Sequence, residues 1–359
     1  MEENNEMVSL LPYTVEDVFS MQSTGQEVGW HISSYNLPEV WKISQGENVT
    51  IAVIDSGCDL THPDLKENLV EGINFVEVGL PPEDALNHGT HVSGIIAANN
   101  NDDGMVGVAP KSKIMPIKVL NSFGMGTIDS VAKGIRWAVD HGADLITMSL
   151  GSRNPTQSVK DAIDYANSKC VTCFVAAGNA GSSKQLLYPA AYTDCISVGA
   201  VDEKSMRADF SCTGPNLDFV APGVKIYSTV PKSSYAYLSG TSMACPFVVG
   251  VAALVLSEKR SIVPNAKICI DEFRNILKSN ALDIKNLDIN LDQQGKRFWQ
   301  GVGIINPSKF EEWVQYRTAE EIKKEFLVIN DKISLIKNKE LICSLKSYYD
   351  LIKSKIVCD

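Results

Sequence analysis

Short apolar runs alternate with amphipathic stretches through the middle of the chain. The runs VTIAVID, SKIMPIKVL, ADLITMSL, CVTCFVAA and CISVGA are almost continuously apolar, which is typical of strands buried on both faces of a parallel sheet. The segments GTIDSVAKGIRWAVDHG and SVKDAIDYANSK lie between them and have helical spacing. This alternation predicts an α/β fold: a doubly wound, mostly parallel sheet with helices on both faces.

Three regions fall outside that alternation. Residues 1–22 are rich in Glu and Asn and precede an α/β domain that we assign to residues 23–307. Residues 282–300 are predicted to form a long polar loop or hairpin. Residues 308–359 carry Leu, Ile and Phe at helical spacing among Lys and Glu, which predicts two or more amphipathic helices. Such helices would suit packing onto the domain, dimerisation as a homodimer, or binding of a partner.

Composition narrows the class of protein. The 359 residues carry a formal net charge of −10, which argues against a nucleic-acid partner because such proteins usually present a basic face. The start of the chain has no basic, apolar secretory signal, and no segment approaches the roughly eighteen apolar residues of a membrane helix. We therefore expect no membrane partner, a cytoplasmic location, and reduced thiols for all nine cysteines.

Three polar residues stand where predicted strands and helices meet. Asp55 ends VTIAVID, His88 begins an apolar helical stretch, and Ser242 lies in a glycine-containing turn before a long apolar segment. Each alone has an ordinary explanation as a turn or cap residue. Together they provide a nucleophilic hydroxyl, a base that takes its proton and a carboxylate that orients the base. We predict that they form a catalytic triad.

A fourth polar residue follows another strand. Asn179 lies in the turn AAGNAG after CVTCFVAA. An asparagine that tolerates a left-handed turn is the ordinary explanation. Its amide can also donate a hydrogen bond to the oxyanion that forms when a carbonyl is attacked, which is the role we predict. Pro246 is expected in the first turn of the helix that begins near Ser242.

At this point the chain resembles the subtilisin family of serine peptidases. The motifs that carry the resemblance occur in order: VIDSGCD, NHGTHVSG, AAGNAG and GTSMACP. The similarity extends from about residue 26 to 307. It implies a seven-stranded, subtilisin-like sheet and a serine endopeptidase that works through an acyl-enzyme, with Asp55, His88 and Ser242 as the triad and Asn179 as oxyanion donor.

The subgroup most similar is the intracellular subtilisins. The segment Leu10-Leu11-Pro12-Tyr13 and Cys58, just after Asp55, resemble that subgroup. The resemblance implies that residues 1–22 are a propeptide-like inhibitory extension that lies across the active site until it is removed, so that the enzyme is a zymogen. An ordinary N-terminal hydrophobic anchor is the alternative.

The resemblance also implies how a peptide substrate binds. An extended substrate would lie between two enzyme segments and add to them as a strand. Ala180 and Leu187 would line the pocket for the residue before the cleaved bond; neither is charged, so we expect a shallow apolar pocket that disfavours basic residues. The two flanking segments comprise Gly124, Met125 and Gly126 and Ser149, Leu150 and Gly151.

A structural Ca²⁺ ion is implied in the same way. Ca²⁺ requires several oxygen ligands, including backbone carbonyls, and a polar loop without an ion is the alternative. If Gln26 is a ligand, the mature chain would start near residues 18–25. The residues matching the family's calcium ligands are Gln26, Asp64, Asn99, Asn101, Asp103 and Met105.

Several alternatives stay open at this point. The chain could be a general endopeptidase acting on peptides and proteins, a dedicated peptidase that removes leader peptides, or a non-catalytic binding module. His91 is interpreted as a packing residue, because no third ligand stands near it to make a zinc site with His88. Cys58 is either a reactive thiol or a small buried apolar side chain.

Overall fold

The structure is a computed structural model that describes residues 6–20, 25–181, 185–279, 281–285 and 293–310. The chain divides into a unit Met1–Ser308 and a unit Lys309–Asp359. The predicted C-terminal helices, and with them the homodimer, lie outside the described residues and stay predictions.

Thirteen strands and eight α-helices occur in the described part of the chain. The strands are β1 Met7–Leu10, β2 Thr14–Ser20, β3 Thr50–Asp55, β4 Ile73–Asn74, β5 Lys113–Lys118, β6 Met125–Thr127, β7 Leu145–Met148, β8 Leu150–Gly151, β9 Thr172–Ala176, β10 Ile196–Val201, β11 Phe219–Pro222, β12 Ile226–Val230 and β13 Ser234–Ser239. The helices are α1 Trp30–Ser33, α2 Leu37–Val40, α3 His88–Ala97, α4 Ile128–Asp140, α5 Gln157–Ser168, α6 Thr241–Ile262, α7 Ile270–Lys278 and α8 Gln293–Gln300.

The core is a seven-stranded sheet with the order β11-β10-β9-β7-β3-β5-β4. Every pairing in it is parallel. Helices α4 and α5 pack together, and α3 packs on α6, which itself contacts β7, β9, β10 and β11. The predicted doubly wound α/β fold is confirmed. The chain adds β5 on one side of β3 and then β7 on the other, so the strand order reverses at β3. Open α/β sheets bind ligands at the carboxyl ends of strands at such a point.

Two small antiparallel sheets flank the core. One has the order β6-β1-β8, so the N-terminal strand β1 is its central strand. The other has the order β12-β13-β2, with β2 on its edge. Both contain a segment of residues 1–22, so this part of the chain pairs with the domain on two sides.

The long helix α6 passes through the centre of the protein. By length and composition it could cross a bilayer, which the sequence analysis did not anticipate, but 94% of its apolar window is buried inside the protein. It is therefore a core helix, and its apolar character serves packing against the sheet.

Two local expectations were wrong. Residues 293–300, predicted as loop or hairpin, form the helix α8. Cys170 is not a reduced thiol on a strand: it lies in the turn before β9 and forms a disulfide with Cys269 at the start of α7. The other cysteines of the described residues are free and buried.

Candidate active site

Asp55 and His88 meet in the interior. Asp55 ends β3 and His88 begins α3, and both side chains are almost fully buried. His88 Nδ1 lies 2.8 Å from Asp55 Oδ1, which also accepts a 2.7 Å hydrogen bond from the Ser56 backbone N–H. The carboxylate therefore fixes the ring orientation and leaves Nε2 as the outward nitrogen of the imidazole.

Ser242 is the second residue of α6, so its hydroxyl stands at the positive end of the helix dipole. Among the described residues, neither Ser242 Oγ nor His88 Nε2 has a hydrogen-bond partner, although both atoms are buried. Buried polar atoms are rarely left unpaired without a functional reason. The two atoms are therefore not hydrogen-bonded to each other in this state, in which the N-terminal segment occupies the cleft.

Pro246 has a different place from the one expected. It is the sixth residue of α6 and lies beyond its first turn. Proline has no N–H, so the Ser242 carbonyl four residues earlier loses its usual helical donor. The Ser149 hydroxyl donates to that carbonyl at 3.2 Å. Ser149, predicted to flank the substrate, therefore also anchors the first turn of the helix that carries Ser242.

Asn179 is held in one amide orientation. Its Oδ1 accepts hydrogen bonds from the Thr241 N–H at 2.9 Å and from the Thr241 hydroxyl at 2.8 Å. Gly178, at φ +113°, makes the tight turn before it. The amide nitrogen is thereby turned towards the cleft, as an oxyanion donor requires. Thr241 directly precedes Ser242 in the chain, so this contact holds Asn179 close to Ser242.

One supporting residue was missed by sequence analysis. The Asp84 carboxylate accepts four hydrogen bonds between 2.7 and 2.9 Å, from the Ser56 hydroxyl, the Leu86 N–H, and the Thr90 N–H and hydroxyl. It thus ties the segment after Asp55 to the first turn of α3. The only sequence signal was an acidic residue ahead of a helix, which stabilises helix N-termini in general.

The N-terminal strand β1 fills the cleft between the two predicted substrate-binding segments. Val8 is paired with Gly126 of β6, and Ser9 with Gly151 of β8. The Leu10 N–H donates to the Gly124 carbonyl at 2.8 Å. Gly124, Met125, Gly126, Leu150 and Gly151 are therefore brought together around one extended segment.

Leu11 lies in the predicted side-chain pocket and is 1% exposed. A Cβ atom on Gly151 would lie 3.0 Å from Leu187 Cβ and 3.2 Å from Leu11 Cδ2, so a side chain here would crowd both leucines. Ala180 and Leu187 line the adjoining cavity of about 430 Å³. The predicted apolar walls are present, and Leu11 occupies the space beside them.

The next two residues reach the predicted catalytic groups. The Pro12 carbonyl accepts a 2.6 Å hydrogen bond from Asn179 Nδ2. The Tyr13 ring lies 5.0 Å from the His88 ring, and its hydroxyl donates to the Leu86 carbonyl at 3.2 Å. Burial, followed by the negative charges of Asp55 and Asp84, raises the pKa of Tyr13, so its phenol stays neutral. Residues 10–13 therefore cover the active site.

The residues predicted to bind calcium also converge. Gln26 Nε2 donates to the carbonyls of Asn99, Asp103 and Met105 at 2.8, 3.3 and 3.3 Å. The Asp64 carboxylate accepts from the Met105 N–H and from the Tyr235 hydroxyl, both at 2.9 Å.

The amide side chains of Asn101 and Asn99 also have protein partners. Asn101 Oδ1 accepts from the Asp103 N–H at 3.3 Å, and Asn99 Oδ1 from Asn68 Nδ2 at 2.7 Å. Among the described residues, no group of three or more His, Cys, Asp or Glu side chains is arranged so that it could hold a metal ion. The loop consequently offers mainly carbonyl and amide oxygens.

Two open interpretations are now decided by burial. His91 Nε2 lies 3.1 Å from the carbonyls of Ile226 and Ala236, and burial lowers the pKa of His91 to about 3. It is a neutral packing residue. Cys58 is fully buried, and burial raises the pKa of its thiol far above the usual value. A buried, protonated thiol is unreactive.

Comparison with known proteins agrees with this site. A model of the Subtilase family matches residues 46–303. The chain is 42% identical over 265 residues to Subtilisin DY of Bacillus licheniformis, covering 73% of this chain and 90% of that protein. It is 41% identical to Subtilisin E of Bacillus subtilis (strain 168), covering 81% and 73%, and 40% identical to M-protease of Shouchella clausii (strain KSM-K16), covering 79% and 72%.

A doubly wound sheet with a buried Asp–His pair and a serine at a helix start defines the class of subtilisin-like hydrolases. The chain belongs to the subtilase family. It is a subtilisin-like serine endopeptidase that acts on peptide or protein substrates.

Proposed function

We propose that the chain cleaves peptide bonds with Ser242 as nucleophile, His88 as base and Asp55 as the carboxylate that orients the base. Ser242 Oγ attacks the carbonyl carbon and His88 Nε2 takes its proton. His88 then gives that proton to the leaving amine, which produces an acyl-enzyme. Water, activated by the same imidazole, releases the acid. Asn179 Nδ2 donates to the oxyanion in both tetrahedral intermediates. The 2.8 Å Asp55–His88 contact supports the role of Asp55, and the start of α6 supports that of Ser242, since the helix dipole there favours developing negative charge.

We further infer that residues 1–22 are an inhibitory extension and that the chain is a zymogen. The observation that carries this proposal is the seating of the chain's own N-terminal strand in the substrate cleft. Leu11 fills the side-chain pocket, whereas the carbonyl bonded to Asn179 belongs to Pro12. In a cleavable substrate, one residue meets both requirements. Here Leu11 fills the pocket while Pro12 places its carbonyl against Asn179, so the segment binds without being cut.

Intact mass measured over time tests both proposals. Wild type is expected to lose roughly the first twenty residues, in line with the extension proposed above, while peptidase activity appears; the Ser242→Ala variant should stay intact and inactive. A full-length wild type that is already fully active would refute the inhibitory role alone. A wild type that stays inactive after a second protease has removed the extension would refute the assignment of the triad.

We propose that the loop around residues 99–105 holds a structural Ca²⁺ ion. Three backbone carbonyls already converge on the Gln26 amide, and rotating that amide by 180° would present its oxygen instead. Asp64 would add a carboxylate, and Asn101 an amide oxygen. These donors fit a hard cation that prefers oxygen. The ion would stabilise the loop and take no part in bond cleavage.

A chelator experiment tests the calcium proposal. Removing Ca²⁺ with EGTA should lower the melting temperature of the Ser242→Ala protein, and Gln26→Ala should reduce that shift. Gln157→Ala is the matched control, since Gln157 lies on the exposed side of α5, far along the chain from the loop, and its side chain donates to the exposed Asp161. An equal EGTA shift in all three proteins would exclude Gln26 as a ligand, and no shift in any would exclude the site.

We propose an apolar preference in the pocket that holds Leu11. Ala180 and Leu187 form its walls. Of the described residues outside the extension, Arg153 is the one charged side chain that lines the adjoining cavity, and it repels Lys and Arg. Among peptides that differ only in the residue before the cleaved bond, those with Leu or Phe there should have a higher kcat/KM than those with Lys or Arg. A higher kcat/KM for Arg or Lys would refute this proposal.

The cellular location of the enzyme and the range of substrates that it cuts stay predictions. The Cys170–Cys269 disulfide weighs against the cytoplasm, because disulfides are uncommon in reducing compartments. Fractionation of the producing cell decides the location. Cutting of casein at many sites would indicate a general endopeptidase, whereas cutting of one defined peptide alone would favour leader-peptide processing.

A further inference from the structure

The strand that leaves the active site continues onto a second sheet. From Tyr13 the chain enters β2, which pairs antiparallel with β13 from Thr14 opposite Ser239 to Ser20 opposite Ser234. The pairing shifts register once, between Tyr237 and Leu238, so that Glu16 is the extra residue of a bulge. The N-terminal segment that occupies the substrate cleft therefore remains paired with the enzyme beyond Pro12, the residue that contacts Asn179.

The binding of β2 depends on its backbone. Its apolar side chains remain outside the core: Val15, Val18 and Phe19 are 48%, 59% and 44% exposed. Phe19 contacts the Tyr237 ring edge-on, with ring centroids 6.0 Å apart. Since the side chains are so exposed, the ladder of main-chain hydrogen bonds is the principal contact, and such a ladder accepts many sequences.

Removal of the extension would expose the same edge. β13 pairs with β12 on its other side, so without β2 it becomes the edge strand of a two-stranded sheet. A strand edge with free N–H and C=O groups is a template for another extended segment. The edge begins at Ser239, three residues before Ser242 in sequence, and so lies in the path of any polypeptide that leaves the cleft.

We propose that the free edge of β13 binds the tail of a polypeptide substrate, meaning the residues that follow the cleaved bond. This inference rests on the proposed function, because it extends the same cleft. The tail would add to β13 as β2 does, from about the third residue after the bond. The substrates favoured are therefore extended chains with long unfolded tails, in preference to short peptides.

One side-chain contact gives the edge a charge preference. Glu16 Oε1 accepts a 2.7 Å hydrogen bond from the Ser239 hydroxyl, and Lys225 Nζ lies 3.5 Å from Glu16 Oε2. Glu16 follows Leu11 by five residues and Pro12 by four. An acidic residue four or five positions after the cleaved bond is therefore expected to improve binding.

Peptides with identical residues before the bond test the proposal. The enzyme is the full chain after loss of its extension, verified by intact mass. A tail of about nine residues should raise kcat/KM roughly ten-fold or more over a tail of two, since several net hydrogen bonds form. Two further peptides carry N-methyl groups on alternate residues of the long tail, all of them beyond the position that corresponds to the bulge at Glu16. One should lose the gain and the other keep it, because successive N–H groups of a strand point to opposite sides.

Three results would overturn the inference: equal kcat/KM for the short and long tails, loss of the gain with both methylated peptides, or retention with both. Replacing the tail's Glu by Gln should lower kcat/KM a few-fold, and Ser239→Ala should reduce that difference. Failure to cut even the short peptide would instead refute the proposed function, and the tail site with it.

Discussion

Leu11→Ala is expected to release the extension and raise the latent activity of the uncut chain. The Leu11 side chain is 1% exposed beside Gly151 and Leu187. Truncating a buried leucine to alanine removes about 2 kcal/mol of favourable burial or somewhat more. The extension is part of the same chain, so this free energy shifts the balance between covered and open cleft. About 2 kcal/mol corresponds to roughly a 30-fold larger open fraction.

The assay is the initial rate on a fluorogenic peptide, with the uncut state of each sample verified by intact mass. Val18→Ala is the matched control, since Val18 belongs to the same extension but is 59% exposed. It should change the initial rate little. Equal initial rates for wild type and Leu11→Ala would refute the argument that Leu11 anchors an inhibitory segment. The same rise in Val18→Ala would mean that any change in the extension opens the cleft.

Two further predictions concern the catalytic groups and acid stability. Asn179→Ala should lower kcat by about 100- to 1000-fold with little change in KM, the magnitude known for the equivalent change in a subtilisin. An unchanged kcat would contradict the oxyanion role. Burial lowers the pKa of His31 and His91 from 6.5 to about 3, so the unfolded chain binds their protons first. Stability of the Ser242→Ala protein should be complete above about pH 6.5 and fall by about 1.4 kcal/mol per pH unit for each histidine towards pH 3. Denaturant unfolding checks this, and His31→Gln should reduce the slope by about 1.4 kcal/mol per pH unit.

The strands of the central sheet could be predicted because strands buried on both faces have a recognisable apolar sequence. β3, β7, β9 and β10 are buried on both faces and therefore read as continuous apolar runs. Asp55 is the last residue of β3 and Asn179 follows β9, so both lie at carboxyl ends of such strands. This position puts them at one edge of the sheet, where the structure holds Asn179 against the helix of Ser242.

Other features left no local signal. The Cys170–Cys269 disulfide joins residues 99 positions apart, and cysteine pairing depends on tertiary distance. β2 has exposed side chains on both faces and is held by another strand's backbone, so its sequence lacks strand alternation. Asp84 acts through four hydrogen bonds to residues up to 28 positions away, which only the fold brings together.

The same limit applies to the cleft. The resemblance implied an extension across the active site, but it did not reveal that Leu11 and Pro12 divide the pocket and the Asn179 contact between them. That division follows from the direction of the chain at Pro12, which depends on pairing with β6 and β8 before it and with β13 after it.

The central claim is that Ser242 is a nucleophile activated by His88 and covered by the chain's own N-terminus. Labelling with a fluorophosphonate, which reacts with activated serine hydroxyls, tests it most directly when the modified residue is mapped by mass spectrometry. One label is expected, on Ser242, that forms slowly in the uncut chain, rapidly after the extension is lost, and not in His88→Ala. A label on another serine, or equal labelling of Ser242 in His88→Ala, would contradict it.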